Sequence, residues 1–116
     1  MKRLRNHWIG IDEGDVVLFS DFEDDGEMWR GEGPRLIRRE VAFDESFRTP
    51  PSVRVGLSMW DISNMATARV DVTAEDILAD RFWIAFRTWG DSKIARVRVN
   101  WQAIGELRHA DEWDLY

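Results

Sequence analysis

Two stretches of this chain alternate between apolar and polar residues, and a period of two marks a strand with one face buried. Val53, Val55, Leu57 and Met59 alternate with Arg54, Gly56 and Ser58, while Ala95, Val97, Val99 and Trp101 alternate with Arg96, Arg98 and Asn100. Shorter alternations run through 37–43, 68–74 and 81–86. In the last of these Phe82 and Phe86 face one way and Trp83 the other, so that strand is expected to be covered on both sides. Breakers separate the runs: Asp24-Asp25-Gly26, Gly31 to Pro34, Pro50-Pro51, Ser63-Asn64, Gly90-Asp91-Ser92 and Gly105. About six strands spaced by such turns fit an all-β antiparallel sandwich. The one helix-like stretch is Thr73-Ala74-Glu75-Asp76-Ile77-Leu78, with Thr73 as N-cap, and it predicts a turn or two of helix.

A length of 116 residues is that of one domain, with a single core expected over 1–116. With 44% hydrophobic and 33% charged residues, the chain is neither disordered nor built to span a bilayer. The absence of cysteine excludes disulfides, thiolate nucleophiles and Cys-based zinc sites, and two histidines leave little for a His-ligated metal. No cofactor is expected. A net charge of −6 disfavours nucleic acid as a partner, because phosphate binding needs a positive surface. The bases divide into fourteen Arg and two Lys, a ratio that fits either directional hydrogen bonding by guanidinium groups or the composition of the source genome. The start MKRLRNHWIG has no apolar stretch after its basic residues and so predicts no secretory signal. The remaining oddity is seven tryptophans against one tyrosine, more than a core this small requires.

Asp21, Glu23, Asp25, Gly26 and Glu32 occupy calcium-loop positions 1, 3, 5, 6 and 12 of an EF-hand. Position 3 is Glu, however, and the flanks Val16-Val17-Leu18-Phe19 and Gly33-Pro34 are not helical, so a solvated acidic turn between strands is the preferred reading. Gly31-Glu32-Gly33 lacks the third glycine and helix of a phosphate cradle, and presents Glu32 on a tight loop whose flanking glycines allow a ligand to approach the backbone. His7 and His109 sit near opposite ends with no nucleophile pattern beside them, and no catalytic residues are expected.

The densest segment is Phe86-Arg87-Thr88-Trp89-Gly90-Asp91-Ser92-Lys93, a turn between two patterned strands. An aromatic plate on a loop, with acids and arginines in reach, is what a sugar site needs. The C–H face of a pyranose lies on the ring, and its hydroxyls require charged partners to replace lost water. Trp89 supplies the plate, Arg69 a directional donor and Glu32 a two-oxygen acceptor.

From Gly31 to Gly105 the sequence resembles an H-type lectin domain, the module of snail agglutinins and of the C-terminal part of discoidins. The matching text is Phe43 with Phe47 through Pro50-Pro51, Leu57-Ser58-Met59-Trp60-Asp61-Ile62, Arg69-Val70, and Phe86 to Ile94 leading to Trp101. The resemblance implies a six-stranded antiparallel β-sandwich assembling as a homotrimer, with galactose-type sugars, particularly N-acetylgalactosamine, held between protomers. It places Arg69, Trp89, Glu32 and Gly31 at the family's sugar-contacting positions. Gly90 and Ala95 stand where the snail agglutinin has histidine and tyrosine, with Asp91 as a further acceptor, and Glu32 stands where the family commonly has aspartate. The expected function is non-enzymatic glycan binding. The rival expectation is a structural assembly or adhesion module of a particle or appendage, using the trimer without sugar. Synthesis in the cytoplasm, with release by lysis or carriage on a particle, accompanies either.

Overall fold

The computed structural model describes residues 1–5, 8–21 and 26–108. It has six strands, β1 (Ile9–Ser20), β2 (Arg35–Ala42), β3 (Ser52–Ile62), β4 (Val70–Glu75), β5 (Arg81–Thr88) and β6 (Ile94–Glu106), with a short helix α1 (Glu27–Arg30) between β1 and β2. They form two three-stranded antiparallel sheets, ordered β1-β6-β3 and β2-β5-β4. In each, the most deeply buried strand is central. On β5 the inward residues Phe82, Ile84 and Phe86 are fully buried, as are Val97, Val99 and Ala103 on β6.

Aromatic rings fill the space between the sheets. Phe43 stacks on Phe82 at 5.6 Å between centroids, Trp101 meets Phe82 edge-on at 5.4 Å, and Phe47 meets Phe43 at 5.0 Å and 89°. Such offset and edge contacts suit the ring quadrupole and contribute about 0.5–1.5 kcal/mol per pair beyond area burial. A bulge between Val17 and Phe19 on β1 brings the consecutive Leu18 and Phe19 into the core.

One local expectation is corrected. Thr73 to Glu75 belong to β4, not to a helix: Val72 and Ala74 pair with Phe86 and Ile84 on the core face, and Asp76, at φ +49°, turns the chain out of the sheet. The outer side of β5 is covered as expected, with Ala85 fully buried, but by long charged side chains among the described residues. Trp83 is covered by the Arg38 guanidinium 4.9 Å above its ring, within an ion-pair lattice in which Glu75 meets Arg87 at 2.8 Å and Arg38 at 3.6 Å.

The Arg87 hydrogen bond, aided by Thr73 and by the two positive charges, holds the Glu75 carboxyl below its ordinary value, and Arg81 does the same for Asp80. A carboxylate with a depressed folded pKa stabilises the fold above the ordinary carboxylate range, and that stability is lost as pH falls through the lowered value. The urea midpoint should therefore drop on the acid side. Glu75→Gln should flatten that limb while changing the neutral-pH midpoint only slightly, because both pairs are exposed. An acid limb unchanged in Glu75→Gln would contradict this.

Because β1 enters opposite Glu106 and β6 leaves from Ile94, residues 8 and 107 lie at one end of the sandwich and the β5–β6 turn at the other. No described helix is long and apolar enough to cross a membrane.

Candidate functional site

The site lies at the end of the β2-β5-β4 sheet. Thr88, the last residue of β5, is flanked by Arg35 on β2 and Val70 on β4. Continuing the ladder, Arg69 comes up beside Trp89. The buried Thr88 hydroxyl fixes this corner by donating to the Arg69 carbonyl at 2.5 Å.

Ser92 ties the turn from beneath. It is fully buried; its Oγ accepts the Arg69 backbone N–H at 2.8 Å and lies within donating distance of the Trp89 carbonyl at 2.9 Å and the Thr67 carbonyl at 3.2 Å. One hydroxyl thus joins the 67–69 segment to the 89–92 turn. Ser92→Ala should cost about 1–3 kcal/mol in chemical denaturation, since it leaves a backbone N–H without its acceptor.

Above this base Trp89 is 44% exposed. The Arg69 guanidinium donates to Asp91 Oδ1 at 3.3 Å, both side chains remaining open to solvent. Gly90 has φ +68°, a region L side chains rarely enter, and a Cβ there would stand 3.1 Å from Arg69 Nη1. The residue therefore admits both the turn and the arginine.

The Gly31–Gly33 loop reaches this corner through the backbone: the Gly33 N–H donates to the Gly90 carbonyl at 2.9 Å. Glu32 between them is exposed, and its carboxylate has no partner among the described residues. Gly31 has a structural reason for lacking a side chain. A Cβ there would lie 2.5 Å from the Glu27 carbonyl and 3.0 Å from Arg35 Cδ, so the close approach is to the chain's own helix. Ala95, which the resemblance sets where the snail agglutinin has tyrosine, is on β6, 4% exposed, and presents almost no surface to a ligand.

Sequence reasoning missed Arg35. Its alternation places it on the same face as Ile37, and it is 4% exposed. Nε donates to the Gly33 carbonyl at 3.0 Å, Nη1 to those of Glu27 and Met28 at 3.3 and 3.2 Å, and Nη2 to that of Gly90 at 3.2 Å.

A cleft of about 600 Å³ adjoins the loop, lined by Glu27, Trp29, Arg30, Gly31 and Lys93. A trough of similar size, about 580 Å³, crosses the β1-β6-β3 sheet between Glu13 and Arg54, far from this corner. No group of three or more His, Cys, Asp or Glu among the described residues is placed to hold a metal ion. The Asp21 carboxylate accepts the Met28 N–H at 2.9 Å and so caps α1. Glu23 and Asp25 of the calcium-loop pattern, His7, His109 and Trp113 lie outside the described residues.

The corner thus combines an exposed indole, an arginine–aspartate pair and a glycine-bounded acidic loop at one sheet end. A model of the H-type lectin domain matches residues 38–104, more than half of the chain, and the chain belongs to that family. The match contains Arg69, Trp89, Gly90, Asp91 and Ala95; Gly31 and Glu32 fall outside it. A relative, "ATP synthase subunits region ORF 7" of Fuscovulum blasticum, is 49% identical over 107 residues, covering 92% of this chain and 93% of its own length. Among solved structures, wild-type discoidin II of Dictyostelium discoideum aligns with a TM-score of 0.75 at 23% identity, over 91% of this chain and 39% of that one. Native recombinant discoidin II from the same organism aligns at 0.74 and 24%, over 94% and 40%. The chain thus spans about two-fifths of the discoidin II chains it matches, and at that identity the likeness establishes the fold.

Proposed function

We propose that the protein is a non-catalytic, lectin-like module that binds galactose-type sugars, N-acetylgalactosamine among them, at the Trp89 corner. The observation that carries the reading is the exposed Trp89 indole beside the Arg69–Asp91 pair, with the loop that carries the exposed Glu32 hydrogen-bonded to the same turn through its backbone. The indole stacks on the C–H face of the sugar. Arg69 donates to ring-side hydroxyls, and Glu32 and Asp91 accept from them. Family membership supports glycan binding in general.

A corner this open leaves much of a monosaccharide in water, so the affinity of one site is weak. A homotrimer remedies both deficits, placing a second protomer against the open side and presenting several sites together, which raises avidity by ~10²–10⁴ without new contacts. A glycan array with the wild-type protein, paired with sedimentation, tests the reading. Saturable binding to terminal galactose or N-acetylgalactosamine by a trimer is expected. A folded trimer that binds no glycan would leave the assembly-module role instead, and a monomer at about micromolar concentrations, where a stable trimer has Kd below that range, would overturn the proposed assembly.

A further inference from the structure

We infer that Arg35 is a positioning residue for the sugar site: its guanidinium clamps the Glu32 loop to the Trp89–Asp91 turn and so sets the distance between the acceptor and the aromatic plate. The inference rests on the lectin reading of that corner and adds a residue the family match does not reach.

Three observations converge. First, all three guanidinium nitrogens are engaged, and their acceptors come from both halves of the site: Glu27, Met28 and Gly33 on the loop side and Gly90 on the turn side. The direct loop–turn hydrogen bond, Gly33 N–H to the Gly90 carbonyl, shares both residues with this clamp, so Arg35 closes a ring around it.

Second, Arg35 is 4% exposed and has no carboxylate partner among the described residues; its acceptors are carbonyl oxygens alone. Burying a cation without a counter-charge is costly, and an apolar residue of similar volume stabilises such a place as well or better. What the apolar residue cannot do is hold four carbonyls of two separate segments in fixed directions. Lysine cannot do it either, because its ammonium is a compact point donor, whereas the guanidinium presents a rigid planar fork.

Third, apart from the Gly31 and Gly33 amide hydrogen bonds, the loop is held at its Gly33 carbonyl by Arg35. It follows a single-turn helix, and Glu32, whose carboxylate has no partner among the described residues, is one residue from each of two glycines. Without the clamp, Glu32 would sample positions about a bond length or more apart, enough to lose a hydroxyl contact that requires hydrogen-bond distance. Gly31 fits the same account: a side chain there would press on Arg35 Cδ and the Glu27 carbonyl, two parts of the clamp.

The test combines backbone amide exchange with sugar titration. In the wild type the Gly33 amide, outside any strand, should exchange as slowly as the amides of β5, and exchange at the rate of an open loop would overturn the clamp without any variant. In Arg35→Lys the Gly33 amide should speed up while Phe86 and Val99 stay protected. Affinity for N-acetylgalactosamine should fall roughly tenfold. A double-mutant cycle separates positioning from bulk stability. If Arg35 acts through the loop, Arg35→Lys and Glu32→Gln together should lose less than the product of their separate losses. Losses that multiply, or an Arg35→Lys protein that binds as the wild type does, would overturn the role. A wild type that binds no sugar while its Gly33 amide is slow would instead remove the lectin reading, and the positioning role with it, leaving only a structural clamp.

Discussion

Trp89→Ala is expected to abolish detectable binding to galactose-type glycans while leaving the fold unchanged. Deleting a central aromatic anchor of a binding site costs about 2 kcal/mol or more, a ~30-fold loss, and a weak single site has no such margin. The fold should survive because the indole is 44% exposed and the turn is held by groups that remain: the Gly90 carbonyl, the Ser92 hydroxyl and the Thr88 hydroxyl. Array signal and melting temperature should therefore separate. If both fall together, Trp89 is a packing residue; if neither moves, the sugar lies elsewhere.

Phe82→Ala should have the largest effect on stability. Phe82 is fully buried, stacked on Phe43 and against Trp101, near the start of the central strand β5. Truncating such a ring costs about 3–5 kcal/mol, the transfer term plus a cavity its rigid neighbours cannot close. Against a typical total of 5–15 kcal/mol this is a large fraction, and the urea midpoint should fall accordingly. A shift below about 1 kcal/mol would mean that the two sheets repack across the gap.

The strands that could be read from the sequence are those whose inward residues are all apolar. On β6, Val97, Val99 and Trp101 announce both the strand and its buried face, and the same holds for Val53, Val55 and Leu57 on β3. β1 did not announce itself over its full length, for a geometric reason. Its core-facing position opposite Trp101 is Gly14, where a Cβ would lie 2.9 Å from the indole nitrogen, while Ile11 and Val17 point outward. The hydrophobic pattern is thereby emptied on one face and reversed on the other. The β4 segment misled in a different way. Thr73 three residues before Asp76 looks like a helix cap, but the Thr73 hydroxyl instead donates to Glu75 within a strand.

The site divides along similar lines. Trp89, Arg69 and Asp91 are close in sequence to turn signals or to a patterned strand, and the structure brings them together. Ala95 was carried over by position alone, and alternation on β6 turns it inward. Arg35 gave only its place on the Ile37 face as a signal. An arginine in a strand with two others, Arg38 and Arg39, reads as a solvated position, and its four acceptors are backbone carbonyls, which look the same in every sequence.

The opposed placement of residues 8 and 107 and the β5–β6 turn bears on how the module is mounted. β6 alone is 13 residues long, so the Trp89 corner stands roughly 40 Å from that end at ~3.3 Å per residue. A carrier joined there would hold the module upright with its reading tip outermost. A tag, a fusion partner or a solid support joined at that foot should leave glycan capture intact, whereas crowding at the tip should block it.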